Sequence, residues 1–256
     1  MKKVFMTGDT HGSLARIEDF VRGYGTTTDD LMFILGDAGY NYCVKRVVGK
    51  EKYHPDGNLR FHARLARLPI TIAVVQGNHE APAWVCEGFE EVDFLDNKAF
   101  QHPSAPNVFY LKNGEIYTLN GKTFLVMGGA YSIDKSMRTV PYESMPRGRN
   151  WFPEEQMTKE EFEQAKKNLN EHNNRVDFVL THTCPMSKRP LEMFLPGIDV
   201  VPDNTMEEEF EKMYPTFSFD YWYFGHYHTD RWIDDKFRIL YRDIIEIECE
   251  ENNYAE

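Results

Sequence analysis

The chain has 256 residues, 41% hydrophobic and 14% aromatic, which is material for a sizeable core and excludes a disordered or collagen-like protein. Its 29 basic and 41 acidic side chains leave a net charge of -12, which argues against binding a long polyanion through the surface at large. The longest strongly apolar stretch, 70–75, is far too short to span a bilayer, and Met1-Lys2-Lys3 does not open a signal-peptide core, so a cytoplasmic protein is expected.

Strand-like runs, short and rich in β-branched or aromatic residues, come first at 4–6 and 31–35 and recur at 70–75, 124–127, 178–180 and 221–224. Such near-continuous apolar runs suit strands buried on both faces, and 14–24 and 61–68 read as helical crossovers between them, which gives a layered α/β sandwich. Asn113-Gly114 and Asn120-Gly121, each between β-prone stretches, predict a meander over 108–127. The capping box Thr158-Lys159-Glu160-Glu161 predicts an amphipathic helix to about His172, with Phe162, Ala165 and Leu169 on its apolar face. Closing strands are expected over 237–248 and a polar tail over 250–256. No repeat or linker interrupts the chain, so a single domain over 1–256 is expected. Cys43, Cys86, Cys184 and Cys249 form no C-x-x-C pair and read as reduced, mostly buried thiols.

Positive charge is concentrated in two places. Seven basic residues (Lys45, Arg46, Lys50, Lys52, Arg60, Arg64, Arg67) face only Glu51 and Asp56 in 43–67, and Lys135, Arg138, Arg147 and Arg149 face only Glu143 in 135–149. The first reads as a solvated helix face. In the second, Tyr142, Trp151 and Phe152 are interleaved with the charges, and Arg can clamp phosphate oxygens while aromatics stack on a base.

Five of the nine histidines follow directly on an apolar run: His11, His79, His182, His226 and His228. Asp9, Asp37 and Asn78 hold the same kind of position, in Gly8-Asp9-Thr10-His11-Gly12, Gly36-Asp37-Ala38-Gly39, Gly77-Asn78-His79-Glu80, Thr181-His182-Thr183 and Gly225-His226-Tyr227-His228. Side chains just past the carboxyl ends of parallel strands converge on one crevice. So many imidazole, carboxylate and amide ligands are too many for one divalent ion and suit two, about 3.5–4 Å apart and sharing a carboxylate. Oxygen and nitrogen ligands without thiolate fit Mn, Fe, Zn, Ni or Co.

The order D-x-H, G-D, G-N-H-E, a strand-terminal His and G-H-x-H, running from Asp9 to His228, resembles the calcineurin-like metallophosphoesterase superfamily. That resemblance implies a four-layer α/β/β/α sandwich and a phosphoesterase that cleaves monoesters or diesters by attack of a bridging hydroxide on phosphorus. It also implies that Asp9, His11 and His228 hold one divalent metal, that Asn78, His182 and His226 hold the other, and that Asp37 bridges them. His79, left without a metal, would then protonate the leaving oxygen as general acid. Where protein Ser/Thr phosphatases carry an Asp-Arg pair and a further Arg, this sequence has Tyr40, Asn41 and Gln76, which counts against that subgroup and leaves Asn41 to contact the phosphate or His79, or to serve as a turn residue. Gly128 to Lys135, followed by Arg138, resembles a segment of several bacterial members. A substrate-selecting loop is therefore expected over 131–155, with Arg138 and then Lys135 as phosphate contacts, and an insert over 185–215. The expected partner is a small phosphorylated substrate, a nucleotide among the options, rather than long nucleic acid or a membrane. The rival readings are a Ser/Thr-type phosphoprotein phosphatase and a catalytically silent metal-binding interaction protein.

Overall fold

In a computed structural model the chain is described over residues 3–42, 44–46, 50, 52–54, 58–139, 151–193 and 202–248. In chain order its elements are β1 (Val4–Thr7), α1 (Ala15–Tyr24), β2 (Leu31–Ile34), β3 (Lys45–Arg46), β4 (Tyr53–His54), α2 (Asn58–Leu65), β5 (Thr71–Val74), β6 (Glu90–Phe94), β7 (Asn97–Gln101), β8 (Val108–Leu111), β9 (Ile116–Leu119), β10 (Lys122–Met127), α3 (Lys135–Arg138), α4 (Lys159–Glu171), β11 (Phe178–Thr181), α5 (Thr205–Met213), β12 (Tyr221–Phe224), β13 (Arg231–Trp232), β14 (Phe237–Ile239) and β15 (Ile244–Ile247).

The apolar runs become the middle of two sheets. The first has the order β15-β1-β2-β5-β8-β7-β6 and the second β13-β14-β12-β11-β10-β9. β1, β2, β5 and β8 run parallel, as do β10, β11, β12 and β14. Strand alternation sends Val4, Met6, Leu31 and Phe33 inward against Phe124, Val126, Phe178 and Leu180 of the facing sheet. The intervening Phe5, Met32 and Ile34 pack against Ile17 and Val21 of α1 and Leu65 of α2. On the far side Leu125, Val179 and Trp222 cover Phe162, Ala165 and Leu169 of α4 and Met206, Phe210 and Met213 of α5. Two sheets between two helical layers make the four-layer α/β/β/α sandwich. Each such large side chain, buried, contributes about 1.5–3 kcal/mol.

The capping box closes as predicted. Thr158 Oγ1 accepts from the Glu161 amide at 3.2 Å and the Glu161 carboxylate accepts from the Thr158 amide at 2.7 Å. The meander is half right. Asn120 and Gly121, at φ 50° and 74°, turn β9 back onto β10, as a type I′ hairpin requires. Asn113-Gly114 instead carries the chain from β8 in the first sheet to β9 in the second. Its amide side chain is spent between layers, donating to Gln76 Oε1 and accepting from the Gly128 amide, both at 2.7 Å. The closing strands divide in the same way, β14 joining the second sheet and β15 pairing antiparallel with β1 in the first. The β6–β7 hairpin has no apolar run to announce it, because its strands, EEVDF and NKAFQ, bury only Phe94 and Ala99.

Helix α5 lies inside the stretch expected as an insert and supplies the outer layer; 194–201 of that stretch lie outside the described residues. So do 140–150 of the expected loop, with Arg147 and Arg149, and also Cys43 and Cys249. Cys86 and Cys184 are free and buried. Among the described residues no helix is long and apolar enough to cross a membrane.

Beneath the first sheet, His62 of α2 sits 3.0 Å from Ser104 Oγ, which is 2.6 Å from His102 Nδ1. Burial, and then the nearby His102, push the His62 pKa down to about 4. The unfolded chain, with an ordinary value near 6.5, therefore takes up this proton first on acidification. The stabilisation is complete above about pH 6.5 and is lost between there and about pH 4, on the order of 3 kcal/mol. We expect metal-free His62→Gln to lose that much less stability than wild type between pH 7 and pH 4 in urea unfolding; parallel pH curves would refute this.

Candidate metal centre

The carboxyl ends of the parallel strands deliver the site. β1 ends before Asp9 and His11, β2 before Asp37, β5 before Asn78 and His79, β11 at His182, and β12 before His226 and His228. To turn their side chains into one crevice, His11, Asp37, His226 and His228 take left-handed backbone conformations, with φ 45°, 47°, 66° and 51°. For residues with a Cβ this strain costs about 1–3 kcal/mol each and clusters where function requires it. The approach is close enough to demand glycine at Gly36, where an added Cβ would lie 2.2 Å from the His182 ring.

Each aspartate spends one oxygen on the backbone. Asp9 Oδ1 accepts from the His226 amide at 3.0 Å, and Asp37 Oδ1 from the His79 amide at 2.8 Å. Their second oxygens point inward. Asp9 Oδ2 is buried without a hydrogen-bond donor, 3.2 Å from His228 Nε2 and 3.7 Å from His11 Nε2, and those two nitrogens are 2.8 Å apart. Asp37 Oδ2 lies 3.6 Å from His182 Nε2, 3.9 Å from His11 Nδ1 and 4.0 Å from His79 Nε2.

Hydrogen bonds fix which atoms face inward. His182 Nδ1 donates to the Leu35 carbonyl at 2.7 Å, so the neutral ring aims a lone pair from Nε2 at Asn78 Oδ1, 2.9 Å away. Asn78 Nδ2 donates to Ser132 Oγ at 2.8 Å, which leaves Oδ1 an acceptor as well. Imidazole nitrogens, a carboxylate oxygen and an amide oxygen thus converge with no donor among them, an arrangement that a cation satisfies. Without one, a proton substitutes. Burial opposes charge on His182, yet Asp37 raises its pKa to about 9. Burial likewise opposes the Asp37 charge, and His182 holds that carboxyl well below the usual range. His226, whose ring centre is 5.0 Å from that of His182, is driven down to about 3 by burial and then by His182.

Among the described residues two groups have ligand atoms close enough to hold an ion, Asp9 with His11 and His228, and Asp9 with Asp37 and His182. The first is the trio expected for one metal. In the second, Asp9 stands beside Asp37, so both carboxylates border the shared space.

A family model for the calcineurin-like phosphoesterases matches residues 2–230, which include every one of these side chains. The chain belongs to the calcineurin-like phosphoesterase family. No curated protein matches it. One crystal structure is similar over 93% of this chain and 89% of its own, with 13% sequence identity and a TM-score of 0.49.

Membership of the calcineurin-like phosphoesterases implies divalent metal ions, and the converging acceptors together with the orphaned Asp9 oxygen fit them. Three further residues shape this calcineurin-like centre and were given no role from the sequence. Glu80 accepts from the amides of Ala38, Gly39 and Tyr40 at 2.9, 3.0 and 3.1 Å, clamping the loop that carries Asp37. Burial and then Asp37 raise its pKa to about 7. Tyr42 Oη sits 2.5 Å from His11 Nδ1 and orients that ring, as partners of metal-binding histidines do. Ser132 orients Asn78. Glu80 ends the G-N-H-E motif and Ser132 lies in the Gly-rich segment, but nothing local points to the partner of either, and nothing local marks Tyr42.

Of the expected substrate contacts, Arg138 is near enough to the crevice for its charge to act on both His79 and Tyr42. The Lys135 ammonium lies 4.1 Å over the Trp151 ring. Asn41 is fully buried, its amide donating to the Ala81 carbonyl at 3.2 Å, and so braces two loops. Tyr40 is fully buried, and Gln76 donates to the Glu154 carbonyl at 2.6 Å.

Proposed function

We propose that the chain hydrolyses a small phosphorylated substrate at a binuclear centre made by Asp9, His11, Asp37, Asn78, His182, His226 and His228. The observation that carries this reading is the donor-free convergence of acceptors around Asp9 Oδ2, Asp37 Oδ2 and His182 Nε2. Two divalent ions there, with Mn, Fe, Zn, Ni and Co suited to these ligands, would act as Lewis acids and supply a strongly acidified water for attack on phosphorus.

The rest falls to side chains. His79 is mostly buried, with Nε2 4.0 Å from Asp37 Oδ2, and its backbone amide is tied to the same carboxylate. Held beside the ligands without being one of them, it is the proton donor to the leaving oxygen. Arg138 grips a phosphoryl oxygen. The buried Tyr40 and the buried, hydrogen-bonded Asn41 and Gln76 take the places of the His-orienting carboxylate and phosphate-clamping arginines of a Ser/Thr phosphoprotein phosphatase, which favours the small substrate.

Reconstitution with Mn followed by elemental analysis should give two equivalents per chain, and the loaded protein should turn over p-nitrophenyl phosphate or its bis ester. At most one bound equivalent, or no turnover with any of the five metals, would overturn the proposal.

A further inference from the structure

From the crevice rim we infer that the substrate is a singly charged phosphodiester rather than a doubly charged phosphomonoester, selected by the Asp134–Arg138 ion pair. The inference rests on the phosphoesterase reading above. A monoester and a diester make the same demands on the metal ligands; they differ by one negative charge and one ester substituent, so discrimination falls to the protein groups around the outer oxygens.

Those groups are placed by Ser132, which accepts from the ligand side chain Asn78 at 2.8 Å and so pins the start of this segment to the crevice. Two residues on, Asp134 precedes α3, and one turn later Arg138 Nε donates to Asp134 Oδ1 at 2.7 Å. The two side chains are only 22% and 16% exposed, so this pair is poorly screened by solvent. Arg138 therefore offers hydrogen bonds with its charge already cancelled. The other cation among the described residues of the segment, Lys135, is held over Trp151, and its charge acts on Glu155 and Asp203.

Tyr42 completes the rim. If His11 coordinates through Nε2, the nitrogen facing Asp9, its Nδ1–H donates to Tyr42 Oη, and the phenol proton is left for an acceptor in the crevice. Apart from His79, which either ester meets alike as the proton donor, the described rim thus presents donors without net positive charge, which suits a monoanion and leaves the second charge of a monoester uncompensated.

The test is Asp134→Asn, which frees the Arg138 charge while keeping the side-chain volume. Wild type loaded with Mn should hydrolyse bis(p-nitrophenyl) phosphate with a higher kcat/KM than p-nitrophenyl phosphate at pH 8. In the variant the monoester value should rise about tenfold and the diester value about threefold, because the Coulomb energy doubles with the substrate charge. Adding Arg138→Gln to Asp134→Asn should abolish both gains. Isothermal titration of the loaded protein reads the same balance without turnover, and Asp134→Asn should tighten inorganic phosphate more than diethyl phosphate. A wild type that prefers the monoester, or equal changes for the two anions, overturns the inference. Failure to hydrolyse either ester refutes the phosphoesterase reading instead, and the titration still decides the rim's charge preference.

Discussion

Asp37→Asn should lower turnover at least about 10³-fold and leave no more than one equivalent of metal bound, because it removes the charge from the carboxylate proposed to serve both ions. The substitution is nearly isosteric. Asn can still accept the His79 amide, now at 2.8 Å from Asp37 Oδ1, so the loop after β2 keeps its conformation. With the carbonyl held by the His79 amide, the inward oxygen becomes an amide NH₂, 3.6 to 4.0 Å from three imidazole nitrogens, and no longer offsets the positive charge gathered there. In metal-free protein the same change should lower the His182 pKa from about 9, since Asp37 is what raises it against burial; histidine NMR titration reads this directly. Wild-type metal content and activity in Asp37→Asn would remove Asp37 from the centre.

His79→Ala should slow hydrolysis of esters with poor leaving groups about 10²–10⁴-fold, and that of p-nitrophenyl esters by less than tenfold, because p-nitrophenolate departs without a proton. The side chain is 17% exposed, lies beside Asp37 and feels the Arg138 charge, so it occupies the border between ligands and rim. Metal content should remain at two equivalents. That outcome separates proton donation from ligation, and an equal loss with both leaving groups would assign His79 to positioning.

The central strands were legible because a strand buried on both faces has no polar side to interrupt its apolar run, and the residues that line the crevice were legible because each run is followed by a histidine, aspartate or asparagine. Their convergence follows from parallel pairing, which aligns the carboxyl ends. Asn113-Gly114 misled because the local chemistry of a turn is the same whether the chain returns to its own sheet or crosses to the other; the difference lies in the Gln76 and Gly128 partners, which are remote in sequence. Tyr42 and Glu80 escaped for the same reason. Their roles lie in contacts with His11 and with the amides of residues 38–40, and neither side chain carries a local mark of its partner. Asn41 and Lys135 were chosen by residue type and neighbourhood in sequence, and type does not say which way a side chain turns.

The hydrogen bond from the His226 amide to Asp9 joins residues 217 positions apart, and β1 takes its second neighbour only when residues 244–247 arrive. During synthesis β1, β2 and β5 can pair early, but the crevice stays incomplete until His226 and His228 have emerged. Ions captured before then would meet a partial ligand set, and nascent chains halted before β15 should expose an unpaired edge at β1 to aggregation.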